Sequence, residues 1–214
     1  DHIQAHAETY CGLVEVGVGL IPGWGDCKEM IVRFREKEKQ QFAATKKTVK
    51  STWFSPDTSP MTAVRKAFEV IGTAQVAKSA AEAKSIGYFR DTDGITMNRD
   101  RLLYDAKAKA LSMIDGYKPP EEQTDMKLPG KSGKLALNMA VADFLKSGRA
   151  TDYDVVVSDH LATVLSGGDT DITQTVSEDD LFALERKEFQ HLLRKDGTMD
   201  RIEHMLSTGK PLRN

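Results

Sequence analysis

Cys11-Gly12-Leu13-Val14-Glu15-Val16-Gly17-Val18-Gly19-Leu20-Ile21-Pro22-Gly23-Trp24-Gly25-Asp26-Cys27-Lys28-Glu29-Met30 places five glycines and one proline among apolar residues, with a single acid, Glu15, in the apolar part. Glycines open turns that a Cβ would forbid, and Pro22-Gly23 marks such a turn. Gly25-Asp26 then opens a helix, with Asp26 placed to cap it and Glu29, three residues on, to complete a capping-box-like pair. Glu15 lies on a winding, glycine-lined segment between Val14 and Val16. An acid held among apolar groups holds its proton more tightly, which suits general acid/base work. On a solvent-facing loop the same residue is an ordinary surface carboxylate.

The segment resembles the active-site stretch of the crotonase (enoyl-CoA hydratase/isomerase) family. That pattern runs phenylalanine-glycine-x-proline-glutamate, then glycine-x-isoleucine-proline-glycine-x-glycine-glycine a few residues later. Cys11-Gly12-Leu13-Val14-Glu15 and Gly19-Leu20-Ile21-Pro22-Gly23-Trp24-Gly25-Asp26 align with it without a gap, and Glu15 falls on the family's second catalytic glutamate. Val14 replaces the usual proline, Trp24 a small residue and Asp26 a glycine. The resemblance implies Glu15 as catalytic residue and Gly12, Gly23, Trp24 and Gly25 as substrate-binding positions.

Composition sets outer limits. The chain has 214 residues, 40% hydrophobic and 29% charged, enough for one or two globular domains with a core. A net charge of −2 predicts no general attraction to nucleic acid or membrane. Charge is uneven: residues 28–50 hold eight Lys/Arg against three acids, and residues 150–181 hold eight Asp/Glu with no Lys/Arg. The basic run reads as a solvated helix face, or as a site for CoA phosphates. Cys11 and Cys27 form neither a zinc spacing nor a disulfide framework, so a reducing, cytoplasmic setting is expected. No apolar run is long enough for a membrane span, and the N-terminus has no signal-peptide pattern. His2, His6 and Glu8 match no metal spacing and read as surface residues, and no metal site is expected. Gly130-Lys131-Ser132 has the tail of a P-loop, but Asp125 stands where its first glycine belongs.

Along the chain, residues 1–10 alternate like a short strand. Residues 26–50 read as a helix with Met30, Ile31, Phe34 and Phe42 on its apolar side, and 51–61 as a loop broken by Pro56 and Pro60. Phe68, Val70 and Ile71 mark the next helix. Ser79-Ala80-Ala81-Glu82 is a capping box opening a short helix that Gly87 ends. Asp93-Gly94 turns into a strand at 95–97, and Asn98 or Asp100 caps a helix bearing Leu102, Leu103, Ala106, Ala110, Leu111 and Ile114. Four further helices are predicted: 133–146 (Leu135, Met139, Ala142, Leu145), 152–166 (Val155, Val156, Leu161, Val164, Leu165), one starting at Ser177 (Leu181, Leu184, Phe189, Leu192, Leu193), and 198–207 (Met199, Ile202, Met205, Leu206). His160, His191 and His204 sit singly on these helices, with structural roles expected.

Ser79, Ala80, Ala83 and Gly87 match a further crotonase segment. The stretch 165–173, Leu184–Phe189 and the closing Thr208–Asn214 are similar to the C-terminal end of bacterial multidomain proteins in which an NAD-binding 3-hydroxyacyl-CoA dehydrogenase portion precedes a crotonase-like module. The fold expected is therefore mostly α with a few short strands: the C-terminal part of a crotonase-like α/β spiral plus a helical extension. Residues 1–115 would be a partial core with an inserted helix at 26–50, and 116–214 the extension. The family's chemistry acts on acyl-CoA thioesters, with two backbone N–H groups holding the thioester oxygen and glutamates moving protons. The first glutamate and both oxyanion donors precede Asp1 in the family pattern. Partners implied are an acyl-CoA substrate, the upstream dehydrogenase and N-terminal crotonase portions of the same polypeptide, and compatibility with a homo-oligomer. No cofactor is expected in this chain, since no Gly-x-Gly-x-x-Gly follows a strand; NAD would bind an upstream domain. The competing class is a non-catalytic docking or oligomerisation module, favoured if Trp24 fills the cleft beside Glu15.

Overall fold

The computed structural model describes residues 1–48 and 59–214. The expected loop at 51–61 falls, except for its last three residues, outside them. The chain is mostly helical with a few short strands, as the pattern of apolar residues predicts. It divides into two units: 1–12 with 76–122, and 13–75 with 123–214.

In the first unit, β1 (Gln4–His6) pairs parallel with β4 (Gly94–Thr96), and β2 (Cys11–Gly12) pairs antiparallel with β3 (Val76–Ala77). Buried Asp93 anchors the β1–β4 end: its carboxylate accepts from the Ile3 and Arg90 amides at 2.9 and 2.7 Å. α3 (Ala80–Ile86) starts where the sequence predicts. Ser79 accepts from the Glu82 amide at 3.1 Å and Gly87 closes the helix at φ 111°. Glu82 returns the bond to the Lys78 amide at 2.7 Å, one residue before the cap. Asn98 caps a 3-10 turn at Arg99–Arg101 that runs into α4 (Leu102–Ser112). No residue of α4 is buried. His2 lies 3.9 Å from Asp93, and His6 accepts from the Glu8 amide.

The second unit is a helical assembly of α1 (Asp26–Thr48), α2 (Met61–Gly72), α5 (Gly130–Lys146), α6 (Asp152–Ser166), α7 (Glu178–Leu193) and α8 (Asp196–Thr208), with a two-stranded ribbon of β5 (Met126–Lys127) and β6 (Thr175–Val176). α6 is the hub: it packs on α1, α2, α5 and α7. Its buried face carries Val157, Leu161, Ala162, Val164 and Leu165. α1 buries Cys27, Met30, Ile31 and Phe34.

Two helical faces differ from the sequence-based expectation. On α5 the buried side chains are Leu137 and Val141, whereas Leu135 and Met139 are each 64% exposed. Both pairs repeat at i, i+4, so periodicity alone offers two inward stripes; the gap under α5 takes the 137/141 stripe. On α8 the buried residues are the polar Thr198 and Arg201, while Met199 and Leu206 are exposed.

The α5 assignment is checked by a pair of truncations. Leu137→Ala is expected to lose about 2–5 kcal/mol, the usual cost of deleting a buried leucine, and Leu135→Ala to stay within about 0.5 kcal/mol. Urea unfolding of both variants measures the difference, and equal losses would contradict the orientation of α5.

Candidate functional site

The glycine-rich stretch becomes a 3-10 turn at Glu15–Val18, an extended run through Pro22-Gly23, and the first turn of α1. Gly19 closes the 3-10 turn at φ 79°, where a Cβ would be strained by the left-handed backbone and crowded at 3.1–3.2 Å by Thr198 and Tyr153. Trp24 also adopts a left-handed backbone, φ 65°, and its side chain is wholly exposed. Gly25 follows at φ 88°, where a Cβ would strike the Phe182 ring of α7.

Glu15 is half-buried, and its Oε2 is buried with no hydrogen-bond partner among the described residues. Burial raises its pKa. The Glu15 and Val14 backbone amides oppose that, and the nearby Asp26 charge adds to it. Asp26 is itself raised, chiefly by burial. Cys27 is fully buried and its thiol is pushed well above the ordinary value, by burial first and then by Glu185, so it is no nucleophile.

The turn bearing Glu15 is held from α8 and α6. Thr198 donates to the Gly19 carbonyl at 2.7 Å, and the Tyr153 hydroxyl lies 2.7 Å from the Thr198 hydroxyl. Arg201, 2% exposed, donates to the Val16 carbonyl (3.2 Å), to Asp154 (2.8 Å), to the Thr151 hydroxyl (3.2 Å) and to the Asn214 side chain (2.7 Å). Burial alone would raise the Asp154 carboxyl; the Thr151 amide and the Arg201 guanidinium more than offset it, and its pKa is lowered.

The far end of the stretch is held from α7. Glu185, 2% exposed, accepts from the Gly25 amide at 2.6 Å and the Cys27 amide at 3.0 Å. The expected cap pair therefore gives way to a carboxylate from another helix: Asp26 is already the first residue of α1, and the Glu29 amide bonds the Gly25 carbonyl. Burial raises the Glu185 pKa against these two amide bonds. Lys28 adds a second tie, to Glu178 at 2.7 Å, with its ammonium 5.0 Å from the Phe182 ring centre.

Of the positions taken from the sequence, Glu15, Gly23, Trp24 and Gly25 lie on one continuous stretch of the second unit, while Gly12 sits on β2 in the first. Gly23 has ordinary room, the nearest atoms to a Cβ being those of Phe189 at 3.9 Å. Arg201, Thr198 and Glu185 are the supporting residues that sequence reasoning missed. The signal available was weak: a Thr and an Arg at i, i+3 on α8, and a glutamate in phase with Leu181 and Leu192 on α7.

No protein-family model matches the chain, and no solved structure does. The chain is 38% identical over 213 residues, 99% of its length, to a Bacillus subtilis (strain 168) protein described as a probable 3-hydroxyacyl-CoA dehydrogenase. It spans 24% of that relative. Over 32 residues, 15% of the chain, it is 62% identical to a Rickettsia felis protein described as a fatty acid oxidation complex trifunctional enzyme, covering 4% of it. Among the described residues no helix is long and apolar enough to cross a membrane.

The raised Glu15 pKa has a consequence for stability. The folded chain binds that proton more tightly than the unfolded chain, so the stability it contributes is present below the ordinary glutamate range and is lost as pH rises through the folded value. Glu15→Gln removes the charge and keeps the shape. It is expected to raise the urea midpoint at about pH 7.5 and to match the parent chain near pH 4, below the ordinary glutamate pKa. Equal destabilisation at both pH values would show that burial of the charge is not what sets its affinity.

Proposed function

We propose that the chain is the C-terminal part of a crotonase-type module in a fatty-acid β-oxidation enzyme, with Glu15 as its proton-transferring group. The observation that carries this reading is Glu15 itself: a carboxylate with one buried, unpartnered oxygen, on a turn pinned by Arg201 and Thr198. The similarity to proteins described as acting in 3-hydroxyacyl-CoA and fatty acid oxidation supports the substrate class.

The substrate is an acyl-CoA thioester. As its α-carbon loses or gains a proton, charge moves onto the thioester oxygen, where a pair of backbone N–H donors stabilises it. Those donors and a second glutamate come from the crotonase portion that precedes this chain in the proposed polypeptide, and NAD belongs to the dehydrogenase portion. Glu15 contributes the proton transfer. A carboxyl raised by burial lies closer to working pH, where a group both accepts and returns a proton efficiently. Gly23, Trp24 and Gly25, on the same stretch of chain as Glu15, are proposed as substrate-binding positions. The fully exposed Trp24 ring does not plug a cleft beside Glu15, which supports the catalytic reading, whereas Asp26 and the basic helix α1 remain in favour of a non-catalytic docking module. The setting proposed is cytoplasmic, where two free thiols persist.

Glu15→Gln in the longer polypeptide is expected to lower hydratase or isomerase turnover by about 10²–10⁴-fold while dehydrogenase activity survives. Steady-state assays of both half-reactions separate the two. Unchanged hydratase and isomerase rates would remove Glu15 from the mechanism and leave the docking module as the better reading. The chain by itself is expected to be inert toward enoyl-CoA, since loss of one oxyanion donor alone costs about 10²–10³.

A further inference from the structure

The buried stripe of α7 contains a second glutamate, whose partners are His160 and His191 rather than groups of the Glu15 turn. Glu188 is buried, and its Oε2 lies 2.5 Å from Nδ1 of His160 on α6 and 3.9 Å from Nδ1 of His191, one helical turn on. The two imidazole rings stand 6.1 Å apart, edge to face. One donor atom from each of the three residues lies within 4.8 Å of the other two. This differs from the expectation that His160 and His191 are isolated: the carboxylate at i−3 from His191 and the histidine on the neighbouring helix meet across the α6–α7 contact.

We propose that His160, Glu188 and His191 form a binding site for a divalent first-row transition ion of the zinc class. Two imidazole nitrogens and one carboxylate oxygen are the donor set such ions take. At metal–ligand distances of about 2.0–2.2 Å, donors of a tetrahedral site stand about 3.3 Å apart, between the two separations measured here. Binding therefore replaces the His160–Glu188 hydrogen bond by metal bonds, parts those two donors and draws the His191 ring inward, each by less than about an ångström. The ring is free to do so, since its side chain is 45% exposed, while His160 and Glu188 are 14% and 9% exposed on packed helices. Two ligands are thus brought together by the α6–α7 packing and part slightly to admit the ion, the third is adjustable, and the exposed side leaves a fourth position for water. The rival account is a simple histidine–carboxylate pair, which satisfies Glu188 without any ion. It leaves the approach of His191 to the same oxygen without a role.

The site is tested on the chelator-treated chain with Co²⁺ as the spectroscopic probe and Zn²⁺ as competitor. The expected result is one Co²⁺ per chain with a visible d–d band, displaced by Zn²⁺, and a Zn²⁺-dependent rise in thermal midpoint, since an ion that binds only the folded state stabilises it. His191→Ala, at the exposed ligand, is expected to weaken binding by at least about tenfold, a loss that even outer-shell changes produce. Glu188→Gln, which keeps an oxygen facing His160, is expected to do the same. Replacing His2 and His6 together by Ala is expected to change nothing. Absence of saturable Co²⁺ binding, or binding that survives both His191→Ala and Glu188→Gln, overturns the proposal. Either result leaves the Glu15 reading untouched.

Discussion

A single buried carboxylate, Glu185, fixes where α1 begins. The first amides of a helix have no intrahelical acceptor, and the aligned peptide dipoles make that end electropositive. Glu185 reaches them from α7, at Gly25 and Cys27, across 160 residues of sequence. The close approach requires a glycine at 25, because the Phe182 ring occupies the space a Cβ would take. Lys28 then binds Glu178 and lies over Phe182, so that the opening turn of α1 is clamped to α7 through charge, amide and ring at once. Burial raises the Glu185 pKa even so, against the two amide bonds, because a carboxylate withdrawn from water favours its neutral form.

The other end of the same stretch is held by a different device. Arg201 is a buried cation whose guanidinium hydrogens go to a carboxylate, a backbone carbonyl and two side-chain oxygens. A charge so placed is tolerable only when nearly every donor is used. Its bond to the Val16 carbonyl, with that of Thr198 to Gly19, makes α8 the backing of the turn on which Glu15 stands. Residues 16–27 are thus strapped at both ends, and Glu15, with one buried unpartnered oxygen, stands next to the first strap. Proton transfer demands such placement, since a misplaced base loses rate even where its pKa is suitable.

What was legible in the sequence is what is local. Ser79 at the start of α3, Gly87 at its end and Ser177 at the start of α7 act through atoms three or four residues away, so the residue types announce them. The turns at Gly19 and Gly25 were legible through the glycine pattern, and both glycines take positive φ. Facing was legible only where one stripe is apolar and the other is not. On α5 two stripes compete and the periodicity selects the wrong one, because the choice depends on the void left by α6 and α2. On α8 the inward residues are polar, and a Thr and an Arg on a short helix read as solvent-facing until the carbonyls they meet are placed opposite them. Glu185 and Glu188 were hidden for the same reason: charged residues at inward positions imitate a surface.

Leu181, Glu185, Glu188 and Leu192 nevertheless define one inward line at i, i+4, i+7 and i+11, and two acids on such a line demand a physical reason. Apolar side chains there would bury surface with no desolvation cost, and replacing buried ionic groups in this way is often neutral or stabilising. What a carboxylate adds is direction. Hydrophobic burial is indifferent to the rotation of one helix on another over several degrees, whereas a hydrogen bond of 2.6 Å to one amide is not. α7 is in that sense a registering helix: Glu185 sets where α1 enters, and Glu188 sets how α6 meets α7 through His160. Only the first of these bears on the Glu15 turn, because the stretch that leaves that turn ends at the α1 entry Glu185 fixes, while the turn itself is held from α8 by Thr198 and Arg201.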